Sequence, residues 1–147
     1  MIYTDKTKKA MKLCYEAHKD QVDKSGLPYV FHPAHVAEQM TDEATTIVAL
    51  LHDVVEDTDY TLEDLAAEGF GKDIREAVAL MTHEDDVPYL EYVAKLKDNP
   101  IARAVKLADL AHNSDLSRIG EIDEETRERL EKYKKAMALL KGSIADE

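Results

Sequence analysis

The chain has 147 residues, a length that suits one domain with its own core, and its 44% hydrophobic content predicts a globular fold. A single cysteine, Cys14, excludes an intramolecular disulfide and a multi-thiolate zinc site. A formal net charge of −12 sets the surface against nucleic-acid phosphate, and no apolar run reaches the roughly 18 residues of a membrane span.

The polar start, residues 1–9, lacks the apolar stretch of a secretion signal, so a reducing, cytoplasmic setting is expected. Between the scarce glycines and prolines the hydrophobic period is helical. The expected fold is therefore all-α, a compact single-domain helical bundle over residues 1–147. A first helix is predicted over 5–20, capped by Asp5, with Ala10, Leu13, Cys14 and Ala17 on its apolar face. A loop follows over 22–32, and a short helix opens at Pro33. His32 then precedes that helix with its ring free to turn inward, and His35 faces elsewhere. A third helix is predicted over 42–56. Thr61-Leu62-Glu63-Asp64 has the form of a capping box and opens a fourth, which ends at Gly69. A fifth spans 71–82, and a sixth spans 86–97 with Pro88 in its first turn. A seventh runs from Asn99-Pro100 to 112. The last, over 123–141, directs Leu130, Tyr133, Met137 and Leu140 toward the core.

The informative stretch is TTIVALLHDVVEDT, residues 45–58. At about 100° per residue, Ile47, Val48, Leu50, Leu51, Val54 and Val55 form one arc. His52, Asp53, Glu56 and Asp57 form the other, beneath Thr45 and Ala49. Three carboxylates within one turn repel each other, no base at helical spacing relieves them, and a cation would. His32 and Asp109 are further candidates. Asp109 shares a helix face with Lys106 and Asn113. Together His32, His52, Asp53 and Asp109 supply two imidazoles and two carboxylates, a set that suits manganese, iron or zinc better than calcium. Of the other histidines, His18 is expected to pack, His83 to lie at the surface, and His112 to support the site or face a substrate. Tyr89 and Tyr92 are expected in the core or at its rim.

In order along the chain, AHKDQVDKSGLPYVFHP, LLHDVVEDT and VKLADLAHN resemble the HD phosphohydrolase superfamily, and within it the hydrolase domain of the RelA/SpoT alarmone family and its small relatives. The resemblance implies hydrolysis of the 3′-pyrophosphate of guanosine tetra- and pentaphosphate, with one divalent ion, most often manganese, and with iron, zinc or cobalt as alternatives. It implies metal ligands at His32, His52, Asp53 and Asp109, and a catalytic acidic pair at Glu56 and Asp57. It also implies substrate contacts at Lys24, Tyr29 and Asn113. Lys106, on the face of Asp109, is expected to help Lys24 hold the leaving pyrophosphate. The chain departs from the family pattern at Asp23, where an arginine normally stacks on guanine, at Leu110, where another arginine follows the metal aspartate, and at Leu116 in place of a threonine. An aspartate neither stacks as arginine does nor attracts phosphate.

Three readings stand at this point. The first is a metal-dependent alarmone 3′-pyrophosphohydrolase. The second keeps the chemistry and takes another nucleotide or phosphorylated small molecule. The third is a non-catalytic nucleotide-binding module, which the intact Glu56-Asp57 pair argues against. A homodimer is compatible with a small acidic helical protein.

Overall fold

The computed structural model describes residues 1–145, and every regular element among them is helical. In chain order these are α1 (Asp5–His18), α2 (Phe31–Glu38), α3 (Glu43–Leu51), α4 (Val54–Asp57), α5 (Leu62–Ala67), α6 (Lys72–Met81), α7 (Tyr89–Ala94), α8 (Pro100–Asn113) and α9 (Glu124–Ala145). Among the described residues the β pairing is a lone antiparallel bridge, Val22 to Pro28, which pinches the α1–α2 loop. The all-α expectation is borne out. No helix among these residues is long and apolar enough to cross a membrane.

The centre of the bundle is α3. Asp42 caps it by accepting the Thr45 amide, and Thr45 to Leu51 are all buried. This differs from the two-sided helix that the sequence predicts. The reason is that α1, α2, α6 and α8 pack around α3 and cover both its arcs. Val36 and Ala37 of α2, Ala77 and Val78 of α6, and Ala102, Val105 and Leu110 of α8 complete the surrounding core. Each large aliphatic side chain held there contributes roughly 1.5–3 kcal/mol. From α9, Ala136 and Leu140 reach the core fully, while Leu130, Tyr133 and Met137 are half-buried.

Several boundaries move, each for a local reason. Thr4, not Asp5, caps α1 through a capping box with Thr7, whose side chain answers the Thr4 amide at 2.7 Å. The helix expected over 42–56 breaks at His52-Asp53, and Asp53 at φ −101°, ψ −1° starts α4. Helix α2 begins at Phe31, before Pro33, so His32 lies inside its first turn. A first-turn amide has no intrahelical partner, so proline is tolerated there. Pro88 precedes α7 rather than lying within it, because its extended ψ of 141° cannot continue a helix. Gly69 takes φ +92° where α5 ends, and the Phe70 amide returns to Leu65 at 3.1 Å, a left-handed closure that suits glycine.

Candidate metal centre

Four side chains from two helices and one break converge. His32 comes from α2, His52 and Asp53 from the step between α3 and α4, and Asp109 from α8, and their ligand atoms lie within 4.8 Å of one another. The break explains how adjacent His52 and Asp53 can share one point. It re-aims Asp53 at the site while His52 still closes the C-terminal turn of α3.

Each ligand candidate is oriented by a partner on its far side. Nδ1 of His52 lies 2.6 Å from the Ala49 carbonyl, so this nitrogen carries a proton and, in the neutral ring, Nε2 presents the lone pair. That Nε2 is buried, 3.1 Å from Asp53 and 3.5 Å from Asp109, and completes a hydrogen bond with neither. Nε2 of His32 lies 2.7 Å from Asp109 Oδ1, and its Nδ1 lies 2.7 Å from Nδ1 of His112. The Tyr29 hydroxyl donates to Asp53 Oδ2. Lys106 donates to Asp109 Oδ2 at 2.9 Å, and the Asn113 amide donates to Oδ1 at 3.2 Å. Such outer partners fix a ligand's rotamer and tautomer.

The electrostatics follow from burial. Burial opposes charge on His52, but Asp53 and Asp109 overcome it and hold its pKa well above the usual imidazole range. Burial likewise opposes charge on Asp109, yet Lys106 and the two imidazoles hold that carboxyl well below the usual range. Lys106 is itself buried, its charge held by Asp109 and flanked by Tyr92 and Tyr89, whose ring centres lie 5.3 and 5.6 Å away. Oxygen and imidazole donors in this number fit a divalent transition ion and leave positions open for water. The unpartnered, tautomer-fixed His52 Nε2 is the feature that a cation explains best. Nε2 of His18, which packs 5.0 Å from the Tyr29 ring, is also unpartnered but lies outside the ligand cluster.

The acidic pair sits on α4. Burial, then the neighbouring Asp53, raise the Asp57 carboxyl above its ordinary range. Burial raises Glu56 as well, although the His83 amide donates to its Oε1 at 2.6 Å. His83 is thus not a free surface histidine. Its Nε2 lies 2.7 Å from the Val87 carbonyl and its ring stacks on Tyr92 at 4.6 Å, which pins the α6–α7 turn against Glu56. Tyr92 is buried and donates to the Met81 carbonyl. His35 does not face away from the site. It stacks on His112 at 3.9 Å, behind the contact between His112 and His32. Lys24 is exposed and stands apart from the cluster. It lines a cavity of about 830 Å³ that opens beside Tyr29, His32 and Asn113. Arg118, to which no motif points, lines the same cavity.

Residues 10–141 match the sequence profile of the HD domain. The chain belongs to the HD-domain family. This HD domain is 40% identical over 119 residues to the GTP pyrophosphokinase of Streptomyces coelicolor, covering 71% of this chain and 14% of that protein. It is 40% identical over 120 residues to the mouse guanosine-3′,5′-bis(diphosphate) 3′-pyrophosphohydrolase MESH1, covering 71% of this chain and 66% of MESH1. The chain thus spans about one seventh of the bacterial relative's length and just under two thirds of the mouse one's. A solved structure described as a metazoan ortholog of SpoT that hydrolyzes ppGpp superposes with a TM-score of 0.75 at 28% identity, over 97% of this chain and 89% of that chain.

Proposed function

We propose that this single HD domain, in the cytoplasm, is a metal-dependent phosphohydrolase that removes the 3′-pyrophosphate of guanosine tetra- and pentaphosphate. The observation that carries the reading is His52 Nε2, buried and unpartnered among His32, Asp53 and Asp109. The names of the relatives supply the substrate, since mouse MESH1 is a guanosine-3′,5′-bis(diphosphate) 3′-pyrophosphohydrolase. The four residues would hold one divalent ion, manganese in our reading, which on binding lowers the pKa of water toward 7 and offsets phosphoryl charge.

The chain's own groups do the rest. Glu56 and Asp57 orient the attacking water and take its proton, a task suited by carboxyls whose pKa burial has raised. A new P–O bond forms from that water, the bond from phosphorus to the 3′-oxygen breaks, and the 3′-oxygen leaves as a hydroxyl, taking up the proton that the acidic pair removed from the water. Tyr29 keeps Asp53 in place from behind. Lys24, in the neighbouring cavity, meets phosphate. Lys106 is committed to Asp109, so its role becomes holding that carboxylate rather than the leaving pyrophosphate.

One observation favours the second reading, another nucleotide as substrate. Asp23 Oδ1 accepts the amides of Ser25 and Leu27 at 2.8 and 3.0 Å, so this side chain builds the loop and meets no base. The test is to incubate manganese-loaded protein with guanosine tetraphosphate and follow GDP and pyrophosphate. Release that Asp53→Ala abolishes, with helical content kept, supports the alarmone reading. No release from metal-containing protein moves the substrate to another phosphate ester.

A further inference from the structure

The cavity beside the metal centre carries a second piece of chemistry. It lies between the pinched α1–α2 loop, the end of α8 and the α8–α9 connection, and Lys24, Arg118 and Arg129 line it together with Asp23 and Glu121. On a chain of net charge −12, a lining in which cations outnumber carboxylates is a local exception. Arg118 is the most constrained of them. Its Nη1 donates to the His112 carbonyl at 2.8 Å and, more weakly, to Asn113 Oδ1 at 3.4 Å. Its Nη2 lies 3.7 Å from Asp23 Oδ2, and the Ser25 hydroxyl donates to the Arg118 carbonyl at 3.1 Å, tying the two loops together. The side chain keeps 26% of its exposure.

These contacts decide what Arg118 can offer. Nη1 is hydrogen-bonded in the guanidinium plane, Nη2 is ion-paired with Asp23, and that carboxylate repels phosphate. A guanidinium whose edge is held in this way can still offer a ligand its flat face, and such a face stacks on planar rings. Asn113 links this group to the metal centre, since its Nδ2 donates to Asp109 while its Oδ1 accepts from Arg118.

We propose that Arg118 is the base-recognising residue of this site, holding a purine by stacking face-on, and that Asp23 fixes its plane instead of contacting the nucleotide. The inference rests on the nucleotide reading above and names the part of the site that holds the base. It places base recognition on the α8–α9 connection and leaves phosphate to Lys24 and the metal side.

The test is equilibrium binding of GDP and ADP to the metal-loaded protein, wild type against Arg118→Ala, Arg118→Lys and Arg118→Trp, with hydrolysis of guanosine tetraphosphate measured in parallel. Stacking predicts that Arg118→Ala weakens both nucleotides about tenfold, the size of one lost base-stacking contact, and raises KM with little change in kcat. Arg118→Trp should recover much of the affinity and Arg118→Lys little, a pattern that a merely structural role would not give. Rescue by lysine but not tryptophan, a loss confined to GDP, or no loss at all would overturn the inference. Nucleotide binding that depends on Arg118 without any hydrolysis would leave the inference standing and remove the alarmone reading. Hydrolysis untouched by Arg118 would do the reverse.

Discussion

The two halves of the site are built on different principles. The metal side is held by the core: His52, His32, Asp109 and Lys106 are all buried, and each has a partner that fixes its direction. The recognition side is held by loops, one exposed stretch around Lys24 and another around Arg118, joined by an ion pair and one hydrogen bond. Chemistry needs sub-ångström positioning, which packed helices supply. Recognition of a flexible ligand tolerates looser walls, and loops supply those.

Substitutions on each side put this contrast to the test. The largest effect on the metal side, short of removing a ligand, is expected for Glu56→Gln. Loss of the proton acceptor should lower kcat about 10²–10⁴-fold. The acid limb of the pH–rate profile should go with it. Because burial places the Glu56 carboxyl above its ordinary range, activity in the parent protein falls as pH drops through that raised value. An unchanged acid limb in the variant would assign the titration to another group.

Next in size is Lys106→Met. It leaves the Asp109 carboxylate buried without its cation, at a cost of about 3–5 kcal/mol in unfolding free energy. Thermal melts should show this together with weakened metal binding. A melt unchanged from wild type, with only KM raised, would return Lys106 to the role of a phosphate ligand. The smallest of the three is His112→Ala, which removes the imidazole against His32 Nδ1 and should weaken metal affinity about 10–100-fold. Metal content after dialysis reads this directly, and His112→Gln, which keeps an acceptor, should recover part of it. Equal loss in both variants would mean that stacking on His35, not the hydrogen bond, is what His112 contributes.

Most of the metal side was legible in the sequence because its signals are local and chemical. His52 beside Asp53, with Glu56 and Asp57 on the same arc, is an arrangement that asks for a cation. Lys106, Asp109 and Asn113 at helical spacing do meet in space, as their shared face predicts. The helices were legible for the same reason, that period survives folding. The break at His52-Asp53 was not, since neither glycine nor proline marks it and hydrophobic period reports side chains rather than backbone. The start of α2 was misplaced because proline is read as an opening residue, although any amide-free position of the first turn accepts it. His35, His83 and Arg118 were hidden for a different reason. Each acts through a residue distant in sequence: His35 through the ring of His112, His83 through the carboxylate of Glu56, and Arg118 through the loop at Asp23. No single stretch of chain carries such a pairing.

Helix α3 is enclosed by its neighbours and also ends in a candidate metal ligand. A change at Ile47 or Leu51 therefore disturbs the seat of His52, and drift in this part of the sequence is penalised twice, in folding and in turnover. Arg118 and Asp23 lie on connections between helices and are tied to each other rather than into the core. In such a scaffold the groups proposed to carry the reaction are fixed by the fold, while those proposed to meet the base sit on connections that can be altered without touching those helices.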